Sequence, residues 1–133
     1  MKRIVIVDDS PTIRRMVRAS LADIGADIFS EAGSGLEAIE QLTLGPVALM
    51  VLDLNMPDMH GIDVLKFVRR HPASRALPVL VLTTRGDEES RDFAMAAGAT
   101  LYLTKPFQPH ALADHARRLL SVQTGEERTV VEP

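Results

Sequence analysis

Four apolar runs in this chain each end on a side chain able to handle a phosphate or a metal ion. Ile4-Val5-Ile6-Val7 leads into Asp8-Asp9, and Val47-Ala48-Leu49-Met50-Val51-Leu52 leads into Asp53. Val79-Leu80-Val81-Leu82 leads into Thr83, and Leu101-Tyr102-Leu103 passes through Thr104 to Lys105, which precedes Pro106. Uninterrupted apolar runs of this length suit strands buried on both faces, as in a parallel sheet covered by helices on each side. Ligands of such sheets bind beyond the carboxyl ends of the strands. The pattern therefore gathers three carboxylates, a hydroxyl and an ammonium at one sheet edge.

Between the runs the sequence turns helical, and strand-like and helix-like segments alternate five times, the signature of an α/β sheet with crossover helices. Asp9-Ser10-Pro11 offers a cap and a proline at a helix start, after which Ile13, Met16, Val17, Leu21 and Ile24 line one face and Gly25 ends the segment. Asp27 to Glu31 alternates like a strand nearer the sheet edge. Gly33-Ser34-Gly35 turns into a second helix with Ala38, Ile39 and Leu42 inward, broken at Gly45-Pro46. A loop, Asn55 to Gly61, precedes a third helix with Ile62, Leu65 and Val68 inward, stopped at His71-Pro72. The helix expected over 87–97 has a thin apolar face, with Phe93 and Met95 its large members and Gly98 its end. The last helix carries Leu112, Ala116, Leu119 and Leu120 inward. Residues 1–122 thus read as one domain and 123–133 as a polar C-terminal tail.

The chain has 133 residues, enough for a single domain that buries roughly two thirds of its unfolded surface. A net charge of −3 argues against a protein that coats nucleic acid or an anionic membrane through general electrostatics. There is no cysteine, which removes disulfides and thiolate metal sites. No apolar stretch approaches the ~20 residues of a membrane span, and the run after Met1-Lys2-Arg3 is too short for a secretory core, so a cytoplasmic location is expected.

Asp8, Asp9 and Asp53 form the most demanding group. Two like charges ~4 Å apart repel by about 4 kcal/mol at an effective dielectric of 20, so three clustered carboxylates need a cation or a retained proton. With oxygen donors only, the expected ion is hard, Mg²⁺ or Mn²⁺, and Mg²⁺ commonly shares its shell with phosphate oxygens. Lys105 can place a positive charge on a phosphoryl oxygen and Thr83 can donate to another. A carboxylate can itself accept a phosphoryl group as nucleophile. Each residue alone has a plainer reading: Asp9 as a helix cap, Thr83 as a strand-end threonine, Lys105 as a solvated lysine. Their joint occurrence at successive strand ends favours the chemical one.

Over residues 2 to about 122 the chain resembles a response-regulator receiver domain of the CheY-like kind. The matching stretches are Ile6-Val7-Asp8-Asp9-Ser10, Asp53-Leu54-Asn55-Met56-Pro57, Gly61, Leu82-Thr83-Thr84, Gly98-Ala99 and Lys105-Pro106-Phe107. The resemblance implies a doubly wound, flavodoxin-like five-stranded parallel sheet in order 2-1-3-4-5 with five helices. It implies Asp53 as phosphoacceptor, taking a phosphoryl group from a phosphohistidine on a sensor histidine kinase or phosphotransfer domain. It implies Mg²⁺ held by Asp8, Asp9, Asp53 and the backbone carbonyl of Asn55. Lys105 would pair with the phosphoryl group and its bond to Pro106 would be cis, Thr83 would be the switch hydroxyl, and Tyr102 the aromatic that swings inward when Thr83 moves. Two positions depart from the usual pattern. Thr84 stands where the family has a smaller residue, which would narrow access to the site, and Arg85 puts a cation beside it. Both bear on the lifetime of the phosphoryl group.

Two other readings fit parts of the sequence. Gly33-Ser34-Gly35-Leu36-Glu37-Ala38 fits a dinucleotide fingerprint, but the preceding strand is half polar and the chain has no room for two mononucleotide halves. An aspartyl-phosphate hydrolase would use the same Asp, Lys and Thr but needs a general acid at the position of Asn55, which has no carboxyl proton to give. The expectation is therefore a phosphorylation-dependent signalling switch rather than an enzyme beyond self-catalysed phosphotransfer and dephosphorylation. Its output is expected from a downstream protein docking on the 87–122 face, with chemotaxis the leading process and a phosphorelay shuttle the alternative.

Overall fold

The computed structural model describes residues 2–124. Its elements alternate from β1 (Arg3–Val7) and α1 (Pro11–Ser20) through β2 (Ile28–Ala32), α2 (Gly35–Leu42), β3 (Leu49–Leu52), α3 (Gly61–Arg70), β4 (Val79–Thr83) and α4 (Glu88–Ala97) to β5 (Leu101–Thr104) and α5 (Pro109–Thr124). The strands are parallel in the order β2-β1-β3-β4-β5, as the resemblance implied. β2 lies at an edge and pairs with β1 alone, which explains its half-polar sequence.

Side chains alternate across the sheet, so the apolar runs feed two cores. Val5, Val7, Met50, Leu52, Val79 and Val81 point to one side, where Ala38, Val64, Leu65, Val68 and Ala94 of α2, α3 and α4 close over them. Ile4, Ile6, Leu49, Val51, Leu80 and Leu82 point to the other, against Val17, Leu21, Leu112, Ala116 and Leu120 of the α1 and α5 side. Each fully buried aliphatic side chain contributes about 1.5–3 kcal/mol, so the double-sided strands dominate the stability of the fold.

Several helix starts follow from local chemistry. Ser10 caps α1, its hydroxyl accepting from the Ile13 N–H at 3.2 Å with Pro11 in the first turn. Ser34 caps α2 through Glu37 N–H, and Asp87 caps α4 through Ser90 N–H. Gly98 ends α4 at φ +119°, a backbone conformation that a side chain would strain.

Two expectations about helix faces need correction. Met16 is 49% exposed rather than inward, because the core contact of α1 centres on its neighbour Val17. On α4 it is the small Ala94 that is fully buried, and Phe93 and Met95 are 62% and 40% exposed. Successive helical residues are about 100° apart, so seating Ala94 on the sheet turns both large neighbours out to the flanks. α5 continues to Thr124, which makes residues 123 and 124 of the expected tail helical, and 125–133 lie outside the described residues. Among the described residues no helix is long and apolar enough to cross a membrane.

Candidate functional site

The four strand ends converge. Beyond the strands, backbone hydrogen bonds hold the functional residues in line with the sheet: Asp8 N–H donates to the Ala32 carbonyl at 3.0 Å, Asp53 N–H to Val7 at 2.9 Å and Lys105 N–H to Thr83 at 2.8 Å. Asp8, Asp9 and Asp53 each offer a carboxylate oxygen within 4.8 Å of the others. Asp8 and Asp53 are buried and Asp9 is exposed, so two of the three carboxylates are sheltered and the third faces solvent. All donors are hard oxygens, a set that fits Mg²⁺ or Mn²⁺.

Lys105 reaches the acidic cluster from β5. Its ammonium lies 2.6 Å from Asp8 Oδ2 and 3.3 Å from Asp53 Oδ2. Burial on its own would lower the lysine pKa, but the bonds and fields of the two carboxylates outweigh it and the net direction is upward. Asp53 moves upward as well, chiefly because burial disfavours its charged form. The Asn55 N–H and the Lys105 charge oppose that shift, and Asp8 adds to it. The site thus holds a buried carboxylate whose charge one lysine only partly offsets. Lys105–Pro106 is cis.

Thr83 is fully buried, and its hydroxyl oxygen accepts from Asn55 Nδ2 at 3.4 Å and from Arg85 N–H at 3.5 Å. Neither contact uses the hydroxyl hydrogen. Tyr102 is 6% exposed and donates its phenol hydrogen to the Arg85 carbonyl. It already occupies an inward position in this structure. Beside the site, a groove of about 360 Å³ lies between α3 and α4, lined by Leu54, Asn55, Ile62, Arg85 and the exposed ring of Phe93 among others.

The family profile described as the response regulator receiver domain matches residues 4–117. The chain belongs to the response regulator receiver family. Receiver domains are the switches of two-component signalling, and this protein is one of them. It is similar to the chemotaxis protein CheY homolog of Campylobacter jejuni, with 34% identity covering 93% of this chain and 96% of that protein. CheY1 of Helicobacter pylori is also 34% identical, covering 84% of this chain and 91% of that protein. Among solved structures, the chemotaxis response regulator CheY4 of Vibrio cholerae matches with a TM-score of 0.82 at 35% identity over 90% of this chain and 98% of that one. A CheY-like receiver protein of Methanospirillum hungatei gives 0.85 at 26% identity over 95% and 98%.

Asp8, Asp9, Asp53, Thr83 and Lys105, singled out in the sequence, come together at one edge of this receiver domain. Asn55 joins them by its side chain to Thr83 and by its N–H to Asp53 Oδ1 at 3.2 Å. Tyr102 stands one layer behind. Two structural participants had no sequence signal. The Asp58 carboxylate takes the N–H groups of Gly35 and Leu36 at 3.0 and 3.1 Å, tying the loop that carries Asn55 to the start of α2. Those bonds hold the Asp58 carboxyl below its usual value. The second is Arg14, whose Nη1 donates to the Asp8 carbonyl at 2.6 Å. Both act on backbone atoms, which no residue pattern announces. Gly61 is explained instead of added: a Cβ there would lie 2.6 Å from Leu54 Cα and 2.8 Å from the Asp53 carbonyl.

Proposed function

We propose that Asp53 is the phosphoacceptor of this switch and that its partner on the input side is a phosphohistidine of a sensor kinase or phosphotransfer domain. The supporting observation is the buried Asp53 carboxylate set among Lys105, Thr83, Asp8 and Asp9. A carboxylate oxygen of Asp53 attacks phosphorus, the P–N bond breaks, the electron pair leaves with the imidazole, and an acyl phosphate forms on Asp53. Asp8, Asp9, Asp53 and the Asn55 carbonyl would hold Mg²⁺, with Mn²⁺ as substitute, and the ion supplies positive charge to the phosphoryl oxygens. Lys105 gives its ammonium to a further phosphoryl oxygen, and the unused hydroxyl hydrogen of Thr83 goes to another. The chemistry of the chain is limited to taking the group and losing it to water. Asn55 supplies no general acid for turnover of phosphate esters.

The output would come from a protein that docks on the 87–122 face, where the exposed Met95 of α4 offers an apolar contact. Likeness to chemotaxis regulators across nearly the whole chain makes chemotaxis the process we infer, and the reading carries a cytoplasmic location with it. The test is labelling with acetyl phosphate and Mg²⁺, read by mass spectrometry. Asp53→Asn should take no label because an amide cannot form the acyl phosphate, and a change at the exposed Asp23, beyond α1, should label as the parent does. Equal labelling of parent and Asp53→Asn would remove the assignment.

A further inference from the structure

Asp9 makes no hydrogen bond to the described residues, yet its carboxylate stands with those of Asp8 and Asp53. What aims an exposed side chain with no partner of its own is the peptide that precedes it. The oxygen of that peptide is the Asp8 carbonyl, and Arg14 Nη1 donates to it at 2.6 Å. The same guanidinium is anchored on its other side, with Nε 2.9 Å from Glu31 Oε1. Glu31 also takes Arg18 at 3.3 Å, and its carboxyl is held below the usual value, first by the Arg14 bond. The Arg14 side chain is 17% exposed, and position 33 leaves it room, since a Cβ on Gly33 would come within 3.1 Å of Nη1. Asp8 is fixed independently through its carboxylate, by Ser10 N–H at 2.9 Å and Lys105 at 2.6 Å. The Ser10 bond also pins the peptide after Asp9, and the Arg14 bond pins the peptide before it, so Asp9 is held from both sides and the arginine sets the first of them.

We propose that Arg14, braced by Glu31, is a positioning residue that fixes the Asp8–Asp9 peptide and thereby aims the Asp9 carboxylate into the cation site. The proposal rests on the reading of Asp8, Asp9 and Asp53 as that site. Groups one layer behind metal ligands commonly change affinity by 10–100-fold, and a charge-assisted bond to a carbonyl is among the stronger hydrogen bonds. Lysine at 14 keeps the charge but cannot bridge a carbonyl and a carboxylate through a planar fork.

The experiment is Mg²⁺ binding alone, by calorimetry on the full chain, for parent, Arg14→Met, Arg14→Lys, Asp9→Ala and the Asp9→Ala/Arg14→Met double variant. Arg14→Met should bind Mg²⁺ about tenfold more weakly and Arg14→Lys should fall between it and the parent. In the Asp9→Ala background the further change to methionine should cost almost nothing, since the residue it acts through is gone. A merely structural arginine would weaken both backgrounds alike, and that result overturns the proposal, as does parent-like affinity in Arg14→Met. If Arg14→Met fails to fold, Arg14→Lys in both backgrounds decides the matter by the same comparison. Parent-like Mg²⁺ affinity in Asp9→Ala would strike at the site reading itself and take the proposal with it.

Discussion

Asp53 carries its charge where solvent reaches poorly, with a second carboxylate beside it and a lysine that sits closer to Asp8. The carboxyl is therefore held above its ordinary value of 3.8, and the folded protein keeps a proton there that the unfolded chain releases. Stability tied to this group is full below the ordinary value and is lost as pH rises through the raised one, leaving an ionised, buried carboxylate as a net cost near neutrality. Asp53→Asn should then melt at higher temperature than the parent at neutral pH without Mg²⁺. The gain should shrink as the pH falls through the raised value and vanish below the ordinary one, where the parent too is uncharged at this position. Melting curves across that range check it, and a variant no more stable than the parent at pH 7 would mean that Lys105 fully compensates the charge. At this scale the gathering of the site's side chains was legible because each residue ends an apolar run. Arg14 and Asp58 were not, because their partners are a carbonyl and two N–H groups brought near only by folding.

Among the elements, α3 shows how tightly a helix start can be bound to the site. Its first residue, Gly61, donates its N–H to the Leu54 carbonyl at 2.9 Å and packs without a side chain against Leu54 Cα and the Asp53 carbonyl. The obstructing atoms are mainly backbone and cannot swing aside. Gly61→Ala should destabilise the domain by about 1–3 kcal/mol, seen as a lower urea midpoint, and should slow labelling of Asp53 because the displaced atoms belong to that residue and its neighbour. Gly86→Ala is the control: its Cβ would meet only Thr104 Cγ2 at 3.5 Å, an ordinary contact, so stability should stay within about 0.5 kcal/mol. A parent-like midpoint for Gly61→Ala would show that the loop after β3 can yield. The inner strands β1, β3 and β4 were readable as elements because burial on both faces leaves few polar positions in a run, and the edge strand β2 by its alternation instead. The orientation of α4 was not. Which of three adjacent residues, Phe93, Ala94 or Met95, meets the sheet depends on how close the helix lies, and close approach selects the alanine.

For the whole molecule, the sheet order places β4 and β5 on one side of Asp53 and the Asp8–Asp9 pair on the other. A phosphoryl group on Asp53 would add about −1.5 to −2 charge and strong acceptor oxygens between Lys105 and Thr83. Lys105, now nearer Asp8, should shift toward the new oxygens, and Thr83 should turn its hydroxyl to them and loosen its contact with Asn55. Tyr102 is already inward and bonded to the Arg85 carbonyl, so the response should pass chiefly through the Thr83–Arg85 backbone into α4. That helix is seated by the small Ala94 and gives up little packing when it moves. A partner favours the phosphorylated form only by its differential affinity for the two forms. The same coupling requires that a bound partner favour phosphorylation or slow phosphate loss. Backbone NMR with beryllofluoride and Mg²⁺ reads this directly. Shifts should extend from Asp53 through Thr83 to Lys105 and along residues 87–97, with Tyr102 changing less than α4. Shifts confined to the neighbourhood of Asp53 would separate the two halves of the reading, leaving a phosphoacceptor without a switch on this face.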